Sequence, residues 1–453
     1  MKTINPATGK TISEYEETPF SEIETIIERA NSAQRSWKEE SFESRATYLK
    51  KIAELLKDRK QALAELMAEE MGKPLSQGVG EAEKCAWVCE YYAEHAEKFL
   101  SEESVETDAT KSYVAFNPLG VVLAIMPWNF PFWQLFRFAA PALMAGNGAL
   151  LKHSANTTGS ALMIEEIIHQ AGIPKDLFRT IIVDNEHMKP VIQHNGIAAV
   201  TLTGSTRAGK IVASQAGESL KKSVLELGGS DPYIVLKDAD IQKAAETCVT
   251  SRLINSGQSC IAAKRFIVEE PVYDEFLEAV KEEMSKKTVG DPFDDQTEVG
   301  PMARVDLRDE LHDQVQRSIN AGAKPVLGCE KPTGDGAYYP VSILADVTPG
   351  MPAFDEELFG PVAAVIKASD EREAVTLANN SEYGLGAAIF SGDVEKAENL
   401  AANYLEAGCC FVNSFVKSDP RVPFGGIKNS GYGRELGLYG IREFVNTKTV
   451  WVD

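Results

Sequence analysis

The chain has 453 residues, 44% hydrophobic and 25% charged, the composition of an ordinary globular protein too long for a single core. Acidic residues outnumber basic ones 67 to 46, and the resulting formal charge of -21 argues against a nucleic-acid or anionic-membrane partner. The odd count of seven cysteines, with a polar start at Met1–Thr11 that lacks an export signal's apolar core, leads us to expect free thiols in a cytoplasm.

In chain order, Asn5-Pro6-Ala7-Thr8-Gly9 reads as a turn between two short strand-like pieces. Ser21 and Glu24 suggest a capping box ahead of a helical stripe of Ile23, Ile26, Ile27, Ala30 and Trp37. A second long helix is expected from about Ser44 to Met71, stopped by Gly72, and a third over roughly Gly80 to Leu100. Cys85 and Cys89 lie four apart on that third helix, but no His or Cys partner has metal-ligand spacing, so they are expected to pack in the core.

After an acidic connection at Ser101–Thr110, Val121–Met126 is a continuous apolar run of the kind buried on both faces of a parallel sheet, and too short to span a bilayer. Strand-like runs at Gly148–Lys152, Phe178–Val183, Ala198–Thr203 and Ser223–Leu227 follow. Helical runs near Pro131–Met144, Thr158–Ala171, Glu186–Gln193 and Ala208–Ala216 separate them, and this alternation predicts βαβ units in a doubly wound sheet. A second alternating series, from Tyr233 to Asn413, predicts a second α/β domain. Asn446–Val452 ends the chain as a strand expected to pair with the Thr107–Phe116 region or with another subunit.

Several stretches could carry chemistry. Leu253–Arg265 reads L-I-N-S-G-Q-S-C-I-A-A-K-R, with Cys260 in a small-residue stretch and Lys264 and Arg265 close behind. Nearby cations would lower a thiol pKa and suit a nucleophile; a buried structural cysteine is the other reading. Thr203-Gly204-Ser205-Thr206-Arg207-Ala208-Gly209-Lys210 nearly matches a nucleoside triphosphatase loop, but Ile211 offers no hydroxyl to a magnesium ion. It remains either a strand-to-helix phosphate turn or a plain tight turn. Glu226 in L-E-L-G-G ends an apolar strand, where desolvation would raise its pKa toward that of a neutral-pH base, or it is a solvated strand-end residue. Asn129 in P-W-N-F-P could donate to an oxyanion, and Glu357-Leu358-Phe359-Gly360-Pro361 is ambiguous in the same way.

Together these motifs, with Pro423-Phe424-Gly425-Gly426 and Thr449-Val450-Trp451, occur in the order found in the aldehyde dehydrogenase superfamily, which the whole chain resembles. Within it, the resemblance is greatest to short bacterial succinate-semialdehyde dehydrogenases, in I-M-P-W-N-F-P, L-E-L-G-G-S-D-P and Q-S-C-I-A-A-K-R-F-I-V. The resemblance implies a Rossmann-type dinucleotide-binding domain (1–102 and 118–228), an α/β catalytic domain (229–430) and a small oligomerisation β-element (103–117 and 440–453). It makes Cys260 the nucleophile, Glu226 the base for deacylation and Asn129 an oxyanion donor. For the cofactor it implies Trp128, Lys152, Ser154, Thr203, Gly204, Ser205, Gly209, Leu227, Glu357 and Phe359, with no metal.

For substrate, the resemblance implies Arg137 as partner of a distal carboxylate, with Gln134, Trp133, Phe130, Ser259, Ser418, Arg421 and Phe424 around it. A salt bridge is the alternative use of Arg137. Succinate semialdehyde is the expected substrate, and a broad-specificity aldehyde dehydrogenase is the alternative. Ile254 stands where better-known relatives carry a second arginine, and Ala155 where NAD-selective relatives carry a glutamate. NADP is therefore expected to be accepted, with NAD left open as cofactor. A homodimer or homotetramer is the expected assembly.

Overall fold

The computed structural model describes residues 1–453 and contains two large parallel sheets. The first runs, edge to edge, through Gly431–Tyr432, Lys222–Glu226, Ala199–Thr203, Val121–Met126, Gly148–His153 and Phe178–Thr180, all parallel except the Gly431–Tyr432 edge. In its interior strands Val121, Leu123, Leu150 and Val200 are fully buried, as a sheet covered by helices on both faces requires. Thr203 pairs in register with Glu226, and Ile125 with Lys152, so the carboxyl ends of these strands open on one edge.

The second sheet orders Lys324–Leu327, Ser342–Ala345, Val362–Ala368, Arg265–Glu269, Pro232–Val235, Gly386–Phe390 and Cys409–Val412, with only the first antiparallel. Two buried clusters flank it, one built around Ile234, Ile267 and Ile366 and the other around Tyr233, Phe266 and Val365. The α/β expectation holds for both halves. The terminal strand Val445–Val452 pairs antiparallel with Lys111–Pro118 along its whole length, and Glu103–Ser104 adds a third strand. No helix is long and apolar enough to cross a membrane.

The helical expectations needed adjustment at their ends. The first helix begins at Phe20 with Pro19 at its N-cap and no side-chain cap, so Ser21 and Glu24 form no capping box. Its apolar stripe is nonetheless buried. The long second helix is two, Phe42–Asp58 and Lys60–Met71, broken at Arg59, and Ser41 caps the first by accepting from Ser44 N–H. Gly72 ends the second at φ 77, where a side chain would also collide with Pro301.

The third helix is Leu75–Phe99, beginning before the expected Gly80 and running through Gly78. Tertiary packing explains Gly78. A Cβ there would lie 2.8 Å from the Ala64 Cα, so the glycine admits a close helix crossing. Cys85 and Cys89 are fully buried on this helix within the first core.

Asn147 is fully buried where the first sheet meets the C-terminal segment. Its Oδ1 accepts from Gly120 N–H at 3.0 Å and its Nδ2 donates to Phe444 O at 3.0 Å. Asn147→Ala leaves both partners unpaired in the interior and is expected to lower the unfolding free energy by about 2–4 kcal/mol, read as a shifted urea midpoint. A midpoint unchanged from wild type would show that water reaches these groups.

Candidate active site

Cys260 lies between the helix Ile241–Leu253 and the strand Arg265–Glu269. The turn before it places Asn255, Ser256 and Gly257 in succession at φ 54, 55 and 76. Two of these are side-chain-bearing residues in a costly left-handed region, so surrounding contacts must hold them there. Asn255 Nδ2 donates to Asn129 O at 2.7 Å and to Gln258 O at 3.1 Å, and Asn129 Nδ2 donates to the same Gln258 O at 3.1 Å. The P-W-N-F-P loop and the cysteine loop are thus tied through two buried amides, and the second N–H of Asn129 remains to serve another acceptor.

A residue the sequence reading missed fixes the other side. Arg252, fully buried, donates to Gly257 O at 2.6 Å, Gly360 O at 2.8 Å, and Ala263 O and Leu358 O at 3.3 Å. It binds the cysteine loop to the loop that carries Glu357 and Phe359. A side chain at Gly257 would sit 2.3 Å from Gly360 O, so the approach of the two loops demands glycine there.

Lys264 does pull the Cys260 pKa down as expected, but burial outweighs it, and Arg265 makes no such contribution. Lys264 Nζ donates to Ser259 O at 2.9 Å and Cys260 O at 2.7 Å and pairs with Glu357 at 3.2 Å. Arg265 faces away, donating to Ser230 O, Leu377 O and Ala378 O at 2.9 Å. Burial instead pushes the Cys260 thiol up to about 12, against the weaker pull of Arg137 and Lys264.

Glu226 is buried to 2% exposure at the end of its strand, and neither carboxyl oxygen has a hydrogen-bond partner. Gly425 approaches so closely, at φ 151, that a side chain there would lie 2.6 Å from Glu226 Oε1. Burial first, then the neighbouring Glu435, raises the Glu226 pKa well above the carboxylate range, opposed by Arg137 and Arg434. Glu435, also unforeseen from sequence, forms a buried ion pair with Arg137. Arg137 further donates to Thr203 Oγ1 at 3.3 Å and lies 4.8 Å from the Phe424 ring centroid. Its charge is therefore already matched inside the protein.

Two cavities meet at Cys260. One, of about 190 Å³, is lined by Trp128, Asn129, Thr203, Gly204, Ser205, Leu227, Glu357 and Phe359. Trp128 and Phe359 stand edge to face at 5.7 Å, and Ser205 caps the helix Thr206–Gly217 by accepting from Ala208 N–H at 3.2 Å. Gly209 sits one turn inside that helix, where a side chain would collide with Leu227 at 2.5 Å. Glu357 is engaged by Lys264 and by Gly229 N–H at 3.1 Å. Lys152 and Ser154 are not in this cavity; they line a separate one of about 420 Å³, where Lys152 bonds Asn185.

The other cavity at Cys260, of about 300 Å³, gathers Phe130, Trp133, Gln134, Arg137, Ser259, Ser418 and Phe424, and also Lys84 and Ile254. Arg421 is not brought to it. Its side chain is 66% exposed, forks onto Asp419 at 2.8 and 2.6 Å, and stacks over Trp87 at 5.5 Å. The local Asp-x-Arg spacing, two residues apart, offered that partner before any substrate.

The sequence matches the aldehyde dehydrogenase family over residues 1–450, and the chain belongs to that family. It is 47% identical to a succinate semialdehyde dehydrogenase (NAD(P)+) of Escherichia coli strain K12 over 450 residues, 99% of this chain and 97% of the relative. It is 46% identical to a probable NADP+-dependent succinate-semialdehyde dehydrogenase of Synechocystis over 452 residues, 100% and 99% of the two chains. A crystal structure of succinic semialdehyde dehydrogenase from Streptococcus pyogenes with NADP+ as the cofactor superimposes with a TM-score of 0.97 at 37% identity, covering 100% of this chain and 99% of that one. The protein is an aldehyde dehydrogenase of the nicotinamide-dependent kind.

The buried triad of Glu226, Arg137 and Glu435 makes a signed prediction. Glu435→Gln removes the negative neighbour of Glu226 and frees Arg137 to face it, so both changes lower the Glu226 pKa. The acid limb of a Glu226-dependent ester hydrolysis should move to lower pH in this variant. A limb at the wild-type pH, or moved upward, would show that Glu435 does not set the Glu226 proton affinity.

Proposed function

We propose that the protein oxidises succinate semialdehyde to succinate through a thioester on Cys260, with NADP accepted as cofactor. The observation that carries this reading is a cationic cavity, holding Lys84 and Arg137, that meets an aromatic, glycine-lined cavity at one cysteine. The relatives named for succinate semialdehyde support the choice of substrate.

The Cys260 thiol first gives its proton to solvent; its Sγ then bonds the aldehyde carbon while the carbonyl π electrons move to the oxygen. The free N–H of Asn129 and the Cys260 backbone N–H stabilise that oxyanion. The adduct collapses to a thioester with loss of hydride, which the nicotinamide group accepts when bound. Glu226 then takes a proton from water, the hydroxide adds to the thioester carbon, and the C–S bond breaks to release the acid and the thiol sulfur. Burial raises the pKa of both Cys260 and Glu226, and the reaction needs each in its deprotonated form, so turnover is expected to rise with pH.

Cofactor binding is read onto the same residues. The N-terminus of Thr206–Gly217, with Gly204 and Ser205, suits a pyrophosphate, and Trp128 and Phe359 suit the nicotinamide end. The residues fit a dinucleotide because Gly209 lets the helix close onto the Leu227 side chain at the end of the strand. Lys152 and Ser154 would take the adenosine ribose, and Ala155 lines that cavity without a carboxylate that would repel a 2′-phosphate. The first sheet is thus proposed as the dinucleotide-binding body and the second as the catalytic one. The ribbon of Lys111–Pro118 and Val445–Val452, which exposes Trp451, is proposed to join subunits of a cytoplasmic homodimer or homotetramer.

Two measurements test this reading. Ala155→Glu should lower kcat/KM for NADP far more than for NAD; wild-type turnover with NAD and none with NADP would overturn the cofactor reading. The wild-type ratio of kcat/KM for succinate semialdehyde over butanal should be about 10 to 100 or more, the range a charge-assisted contact provides. A ratio near one would instead describe a general aldehyde oxidiser.

A further inference from the structure

The cavity beside Cys260 has three basic side chains on its wall, Lys84, Arg137 and Lys417, and one acidic one, Glu81. Most of these charges are matched within the protein. Glu81 accepts from Lys73 and from the backbone N–H groups of Phe132 at 2.9 Å and Trp133 at 3.0 Å. Arg137 is held by Glu435, and Lys417 stands exposed at the rim.

Lys84 differs. It sits on the helix Leu75–Phe99 with no carboxylate at ion-pair distance, makes one hydrogen bond, to Ser418 Oγ at 2.8 Å, and rests 4.2 Å from the Trp133 ring centroid. Trp133 Nε1 also donates to Ser418 Oγ, at 3.1 Å. Both bonds use Ser418 as acceptor, so its own proton is left to donate. An ammonium with free N–H groups and a hydroxyl with a free proton therefore share one wall of the cavity that ends at Cys260.

We propose that Lys84, assisted by Ser418, is the group that binds the distal carboxylate of the substrate and so selects a carboxylated aldehyde. The proposal rests on the semialdehyde reading above and deepens it. It assigns direct contact to Lys84 and leaves Arg137 to the Glu226 and Glu435 cluster. A partly desolvated cation without a counter-ion is costly, and a substrate carboxylate arriving in the cavity offsets that cost. Aldehydes without a carboxylate offer no such compensation.

The proton affinity of Lys84 supplies a readout specific to this role. Burial first, and then repulsion from Arg137 on the facing helix, pull its pKa down to about 8. Glu81 and Cys85 on its own helix and Asp419 on the loop beside Ser418 pull the other way. The ammonium is present below that pH and lost above it. The KM for succinate semialdehyde should then rise as pH passes through about 8, while that for butanal does not follow.

The test compares wild type, Lys84→Met and Lys84→Arg on both aldehydes with saturating NADP. Lys84→Met is expected to lower kcat/KM for succinate semialdehyde by about 10- to 100-fold, mainly through KM, with a much smaller loss for butanal. Lys84→Arg should keep most of the selectivity and lose the KM rise near pH 8, because a guanidinium stays charged. Equal losses for both aldehydes in Lys84→Met would assign the residue to packing and overturn the proposal. A high wild-type selectivity that survives Lys84→Met would place the anchor elsewhere, Arg137 first. A wild-type selectivity near one would overturn the semialdehyde reading itself, before any variant is made. Should Lys84→Met fail to fold, Lys84→Arg and the wild-type pH profile decide the matter alone.

Discussion

The site depends on one buried guanidinium. Arg252 has no carboxylate forked onto it; four backbone carbonyls, from the cysteine loop, the strand entry after it and the Glu357–Gly360 loop, accept its hydrogen bonds. A buried charge needs hydrogen-bond acceptors, and here those that serve its two terminal nitrogens all lie outside any α-helix or strand. The same bonds that solvate the cation therefore specify where two irregular loops sit. Asn255 and Asn129 extend that order across to the first sheet, so the residues around Cys260 are held by hydrogen bonds at both ends of the turn.

Two consequences follow for the chemistry. Three successive left-handed residues are sustained before Cys260 because loop closure over-determines them, which aims the cysteine into the junction of two cavities. The desolvation that accompanies this burial also raises the pKa of the thiol and of Glu226. A water-poor site strengthens hydrogen bonds to a developing oxyanion, and it raises the free energy of the two anions the reaction needs. The enzyme works between these demands, and the Arg137–Glu435 pair beside Glu226 is the local adjustment.

Charge matching sorts the cationic residues near the cavity by function. Arg421 has a carboxylate two residues away and remains at the surface with it. Arg137 lies on a helix whose every residue is buried, Trp133–Met144, and a long-range carboxylate from the C-terminal segment meets it there. Lys84 has only a hydroxyl and an aromatic face. Only the Arg421 pairing was local; Glu435 for Arg137 and Ser418 for Lys84 lie hundreds of residues away in the chain.

Much was settled by the sequence alone. Periodicity placed the strands and helices of the first sheet and the α/β character of the second, because β-branched runs alternating with amphipathic ones admit few other arrangements. Motif order identified the family, and Cys260, Asn129 and most of the cofactor and substrate residues named from it line two adjoining cavities, with Glu226 buried next to Leu227 of one of them. Helix ends were misplaced, and the close crossing at Gly78 was not foreseen, since a glycine that permits close packing looks the same in sequence as one that ends a helix. The contributions of Arg252, Glu435 and Lys84 were invisible for a different reason. A buried charge takes its meaning from whether a partner stands opposite, and only the folding of distant segments onto one another brings that partner or leaves it out.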